Sequence, residues 1–186
     1  MARRRASAPH GFFTLADVAG LTDIDADRIS YWCSRWGAIL LEPTVNPAVH
    51  GGTRLFSECD LVKIALIPTL IDAGLDHTEI RRLFTQPQPG WWDLSRAQKQ
   101  NKNFLDWLVL IRDGRGRTQW YLVASVYEGG PAGRVASGPI KALTKGINDA
   151  IWRTGPIRGW QVIELSNVKR ELLERITQTG RSFHDK

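Results

Sequence analysis

The amino-acid sequence predicts a mixed chain, with an α-rich winged helix-turn-helix domain followed by a small α+β domain in the order β-β-α-β-α. Three observations carry this expectation. Up to Phe84, apolar residues recur at helical spacing behind Ser, Thr and Asp capping residues. From Phe104 onward they form unbroken or alternating runs around an Asp/Gly/Arg turn. Between the two, Thr85-Gln86-Pro87-Gln88-Pro89-Gly90 cannot continue a helix. The expected organisation is a basic arm over 1–11, the winged domain over 12–84, a linker over 85–103 and the α+β domain over 104–186.

Each element of the first domain has its own signal. Thr14 and Asp17 stand at capping-box spacing, and Leu15, Val18 and Ala19 then share a helical face that Gly20 is expected to end. Leu21 to Ile24 is a tight connection. Asp25 caps a second helix that runs to about Trp36, with Gly37 stopping it. Two short helices joined this closely form a helix-turn-helix unit. Ile39 to Pro43 reads as extended, Asn46-Pro47 and Gly51-Gly52 as turns, and Thr53 to Phe56 as a returning strand, which together make a wing. Ser57 to Asp60 is a second capping box. It opens an apolar helix through Leu61, Ile64 and Leu70, which Pro68 is expected to kink and Gly74 to end. Asp76 to Glu79 caps a last helix carrying Ile80, Leu83 and Phe84.

Composition excludes several classes. The chain has 186 residues, 42% hydrophobic and 24% charged, enough to bury a core. No apolar run approaches the roughly 20 residues of a membrane-spanning helix. Met1-Ala2-Arg3-Arg4-Arg5 is basic with no apolar core behind it, so no secretory leader is expected and the protein reads as cytoplasmic. Cys33 and Cys59, the two cysteines, make neither a disulfide scaffold nor a cysteine zinc site, and no metal or cofactor is expected. Net charge is +6 and is unevenly placed. Residues 1–84 hold nine Lys/Arg against ten Asp/Glu, a net −1, while residues 85–186 hold sixteen against nine, a net +7. The motif-bearing domain is thus nearly neutral.

The ordered set of motifs over about Phe12 to Phe84 resembles the DNA-binding domain of the MerR family of bacterial transcription regulators. Phe13 to Ala19 is similar to that family's opening helix, and Arg28-Ile29-Ser30-Tyr31-Trp32 to its second helix with an aromatic pair. Gly37-Ala38-Ile39-Leu40 and Pro43 resemble the turn into the wing, Gly52-Thr53-Arg54-Leu55-Phe56 its wing pattern, and Asp60-Leu61, Asp72 to Leu75 and Glu79-Ile80 the two helices that follow. The resemblance implies a regulator that binds double-stranded DNA as a homodimer, nucleoid-associated, with RNA polymerase or another regulator as a further partner. It places Thr14, Arg28, Ser30, Tyr31, Arg35 and Arg54 at the DNA. A helix N-terminus offers free amides to phosphate, and an arginine fork suits phosphate or guanine. Structural roles stand beside these: Thr14 as a helix cap, Trp32 as core, and Arg54 as partner of a carboxylate such as Asp60. Ser30 replaces the family's usual basic residue and Cys33 its usual acidic one. Asp23, Asp25 and Asp27 make the second helix's start acidic. The family's long dimerising helix is absent, because prolines occupy its place. An excisionase-type DNA-bending protein and a protein-binding adaptor remain as alternatives.

In the second half, Trp91 and Trp92 are expected to pack back on the protein. Phe104 to Ile111 and Trp120 to Tyr127 read as strands around the Asp113-Gly114-Arg115-Gly116-Arg117-Thr118 turn, with apolar residues on both faces. Ile140, Leu143, Ile147 and Ile151 fit a helix, Trp160 to Leu165 a third strand, and Ser166 a cap for a helix with Val168, Leu172, Leu173 and Ile176. No catalytic or phosphate-binding motif is present, so this half is not expected to be an enzyme. It is read as a dimerisation or effector domain. Arg3, Arg4, Arg5, Arg115 and Arg117 are candidates for DNA-backbone contact, and Trp107, Trp120, Tyr127 and Trp160 for the lining of an effector pocket.

Overall fold

The polar residues that open the helices do what their spacing implies. The computed structural model of the chain describes residues 12–34, 39, 41–45, 53–85, 91–94, 104–126 and 137–179. A two-residue strand, β1 (Phe13–Thr14), leads into α1 (Leu15–Thr22), where the Thr14 hydroxyl accepts from the Asp17 amide and the Asp17 carboxylate accepts from the Thr14 amide. Asp25 caps α2 (Ala26–Trp32) through the amides of Asp27 and Arg28. After β2 (Leu55–Phe56), Ser57 and Asp60 form the reciprocal cap of α3 (Glu58–Asp72). Asp76 and Glu79 do the same for α4 (His77–Thr85).

Two local expectations are corrected and a third is met only in part. Gly20 does not end α1: the helix runs on to Thr22 because Leu21 is buried, and Asp23 takes the left-handed turn at φ 58°. The second helix ends at Trp32, short of Trp36, where the Cys33 and Ser34 amides close onto the Ile29 and Tyr31 carbonyls. Among the described residues, the expected pairing of 39–43 with 53–56 shows only as a bridge one step further along, at Val45. Leu55 bonds reciprocally with Val45, and β2 pairs antiparallel with β1, Phe13 opposite Phe56 and Thr14 opposite Leu55. The turns at Asn46-Pro47 and Gly51-Gly52 lie outside the described residues.

The second half begins with β3 (Phe104–Asp113) and β4 (Thr118–Val126), continues with α5 (Ser137–Thr154) and β5 (Ile157–Glu164), and ends in α6 (Leu165–Gln178). The sheet is antiparallel in the order β4-β3-β5, so the most apolar strand is central. Its alternation explains its burial on both faces. Val109 and Ile111 form a small cluster with Ile147 and Ile151 of α5 and Ile157 and Val162 of β5. Leu108, Leu110 and Ile163 join α6 and the core of the first half in a single cluster with Val18, Ile29, Trp32, Phe56, Leu61 and Ile64. Trp92 is also buried and meets Phe84 edge-on at 5.4 Å, as two tandem tryptophans require. The α6 start differs from expectation: Glu164 is the N-cap position without a side-chain cap bond, and the Ser166 hydroxyl instead donates to the Glu164 carboxylate at 3.0 Å.

Candidate nucleic-acid interface

The helix-turn-helix surface is built by short-range chemistry. Asp23 turns the chain and Asp25 caps α2, so two of the three acids at that helix start have structural work there. Ile29 and Trp32 are buried and fix which side of α2 faces inward. Arg28 and Tyr31 lie on the outer side, Tyr31 at 51% exposure. The Arg28 guanidinium sits over the Trp32 ring, 5.1 Å from its centroid, a cation–π contact that orders it without using its donors. From the strand side, Arg54 Nη1 donates to Ser30 Oγ at 3.2 Å, tying the residue before β2 to the middle of α2. Thr14 thus stands at the start of α1, Arg28, Ser30 and Tyr31 on α2, and Arg54 just before β2. Arg35 and the arm Arg3, Arg4 and Arg5 lie outside the described residues.

The alternative of an Arg54–Asp60 pair is not what forms. Asp60 Oδ2 instead accepts from the Thr44 amide and hydroxyl at 3.0 and 2.6 Å, and from the Ser57 amide and hydroxyl at 2.8 and 3.0 Å. Burial, opposed in part by the Arg54 charge, pushes the Cys33 thiol up to about 11. Cys33 is thereby an inert thiol at neutral pH. Among the described residues no group of His, Cys, Asp and Glu is placed to hold a metal ion.

Residues 13–86 match the family described as MerR HTH family regulatory protein. That stretch is of the MerR type. The chain is also 33% identical over 85 residues to the HTH-type transcriptional regulator MlrA of Escherichia coli (strain K12), covering 44% of this chain and 33% of that protein. It is 32% identical over 83 residues to the protein of the same name from Salmonella typhimurium (strain SL1344), covering 43% and 32%. The chain thus spans about a third of the length of these relatives.

The remaining sequence-named residues are spread out. At the β3–β4 turn the Asp113 carboxylate accepts from the amides of Arg115 and Arg117, and from Arg117 Nε at 2.8 Å, so the Arg117 side chain is engaged inside its own turn. Those bonds, the Arg117 amide first, hold the Asp113 carboxyl below the usual carboxylate range. Trp107 is buried, whereas Trp160 is 51% exposed at the rim of a cleft that Trp107 does not line. The Trp120 side chain and Tyr127 lie outside the described residues.

What sequence reading missed is the seam between the MerR-type domain and the second half. Arg175 Nη1 donates to the Leu21 carbonyl at 3.0 Å, at the end of α1. Arg112 Nη2 donates to the Gly74 carbonyl at 3.0 Å, just past α3, and lies 3.8 Å from Glu79. The other oxygen of Glu79 accepts from the Thr118 hydroxyl. Both arginines sit where helix C-terminal carbonyls favour cations. No local pattern announces such contacts, since each partner is far away in sequence.

Proposed function

We propose that the protein is a DNA-binding transcription regulator rather than an enzyme, and that it reads a duplex site through α2 and the strand segment at Arg54. The observation that carries this reading is the part-buried Arg54–Ser30 hydrogen bond between α2 and the segment before β2 in a MerR-type domain. It holds Arg54 beside Tyr31 and Arg28 on the helix that enters the major groove in helix-turn-helix proteins. Arg28 and Tyr31 contact base edges or phosphates, Arg54 grips the backbone, and the Thr14 helix start receives a phosphate. The protein acts in the cytoplasm as a homodimer. Exposed Trp160 on edge strand β5 and Trp152, 86% exposed, supply the aromatic surface for pairing in place of the long helix its sequence lacks.

The test is binding to genomic DNA fragments at low salt by the wild type and by Arg54→Ala. The expected result is a small set of preferred fragments and an affinity about tenfold weaker, or more, in the variant. Equal binding to every fragment by both proteins would overturn specific recognition, and no duplex affinity at low salt would overturn DNA binding itself.

A further inference from the structure

The seam between the two halves holds a cleft of about 630 Å³, a size that suits a small molecule. The corner between α3 and α4 forms one wall, through Asp72, Gly74 and Leu75, and the β3–β5 side forms the other, through Leu110, Arg112 and Arg158. The floor is apolar: Leu75 and Leu110 are 5% and 3% exposed. The lip is cationic. Arg112 spends one donor on the Gly74 carbonyl and lies at a long 3.8 Å from Glu79, which leaves most of its five N–H groups available. Arg158 is exposed and makes no ion pair among the described residues. Asp72 is the one carboxylate in the lining.

The placement of Arg158 is a built feature. The β3–β5 ladder shifts register between Arg112 and Asp113, so that Gly159 pairs with Arg112, Ile157 pairs with Asp113, and Arg158 has no partner across the ladder. A bulge breaks the alternation of a strand and re-aims a side chain. Here it puts a second guanidinium on the cleft that already holds Arg112. Gly159 beside it has open space where a Cβ would stand.

We propose that this cleft binds a small organic anion. Its carboxylate or phosphate is held between Arg112 and Arg158, and its apolar body lies on Leu75 and Leu110. Binding is felt by α4 through Arg112, because an anion that engages this guanidinium competes with Glu79, the carboxylate that also caps α4. That this coupling regulates DNA binding rests on the function proposed above, but the cleft and its coupling to α4 do not.

The full chain is titrated calorimetrically, without DNA, with benzoate, phenyl phosphate and neutral benzyl alcohol. Saturable binding of one or both anions in the millimolar range or tighter is expected, with benzyl alcohol weaker by about tenfold or more. Comparing the two anions separates carboxylate from phosphate recognition. Arg158→Gln is expected to weaken the anion about tenfold and Arg158→Glu to abolish binding, both with unchanged thermal melting, because Arg158 is exposed and makes no ion pair among the described residues. Absence of saturable binding by either anion, equal binding of the alcohol, or full affinity in Arg158→Gln would overturn the site. Amide hydrogen exchange over residues 74–79 reads the coupling, again without DNA. A change on adding the bound anion, lost in Arg158→Gln, supports it, and unchanged exchange overturns it.

Discussion

Cys33 closes α2 beside Arg54, and burial lifts its thiol to about 11 from an ordinary 9.0. The folded protein therefore keeps this proton after the unfolded chain has lost it. Between roughly pH 9 and 11 the native state binds more protons than the unfolded state, so stability falls as pH rises through that window. Burial raises the Cys59 thiol as well, with the same sign. Alkylation of Cys33 by iodoacetamide at pH 8 is expected to be slow in the native protein and fast in urea, and rapid native labelling of Cys33 would contradict the assignment. Asp60 has a larger structural effect. It is 5% exposed and one of its oxygens gathers four donors from Thr44 and Ser57. Asp60→Ala leaves those donors without their acceptor and is expected to cost about 3 kcal/mol in urea unfolding. The Ser57–Asp60 half of that arrangement is legible from spacing. The Thr44 half is not, because it spans sixteen residues and depends on how the strand segment folds over α3.

Helix starts were the most legible elements, because a cap is decided within four residues of chain. Helix ends were less so. The pair Gly20 and Gly74 shows why: both are glycines at the end of an apolar helical pattern, yet only Gly74 adopts a positive φ, +80°. Burial of Leu21 carries α1 past Gly20, and that burial is a tertiary fact. The two positions are therefore expected to respond with opposite signs. Gly20→Ala adds a methyl into open space on an exposed helix and should stabilise by about 0.5–1 kcal/mol. Gly74→Ala forces a side chain into the left-handed region and should destabilise by about 1 kcal/mol or more. Melting temperatures of the two variants check this directly, and a shift of the same sign in both would refute it. Strand pairing followed the same rule. The β3–β4 hairpin was readable from its local turn, whereas the β1–β2 pairing joins Phe13 to Phe56, which no local signal predicts.

At the scale of the molecule, one buried cluster joins the MerR-type domain to the sheet and α6. Inside the second half, Lys169 Nζ meets Asp106 Oδ2 at 3.0 Å, with both side chains fully buried. Removing one partner strands a charge in the core, so Lys169→Ala is expected to cost about 3–5 kcal/mol. Replacing both by apolar residues, as in Asp106→Leu with Lys169→Met, is expected to restore most of that loss. A double variant no more stable than Lys169→Ala would show that the pair itself is not the source of the cost. The sequence holds a trace of this pair. Lys169 falls on the same helical stripe as Leu165, Leu172 and Ile176, and Asp106 interrupts an apolar strand, yet nothing local says that the two meet across 63 residues. The same holds for the cleft: its arginines come from β3 and a bulge in β5, and its apolar floor from the α3–α4 corner and β3. By itself the sequence determined the caps, the turns and the apolar faces, and with them the MerR-type domain, because these rest on interactions within a few residues. Only the tertiary structure decided the helix end at Asp23, the strand partners, the buried ion pair and the arginine-lined seam, because each depends on burial or contact between segments that sequence distance keeps apart.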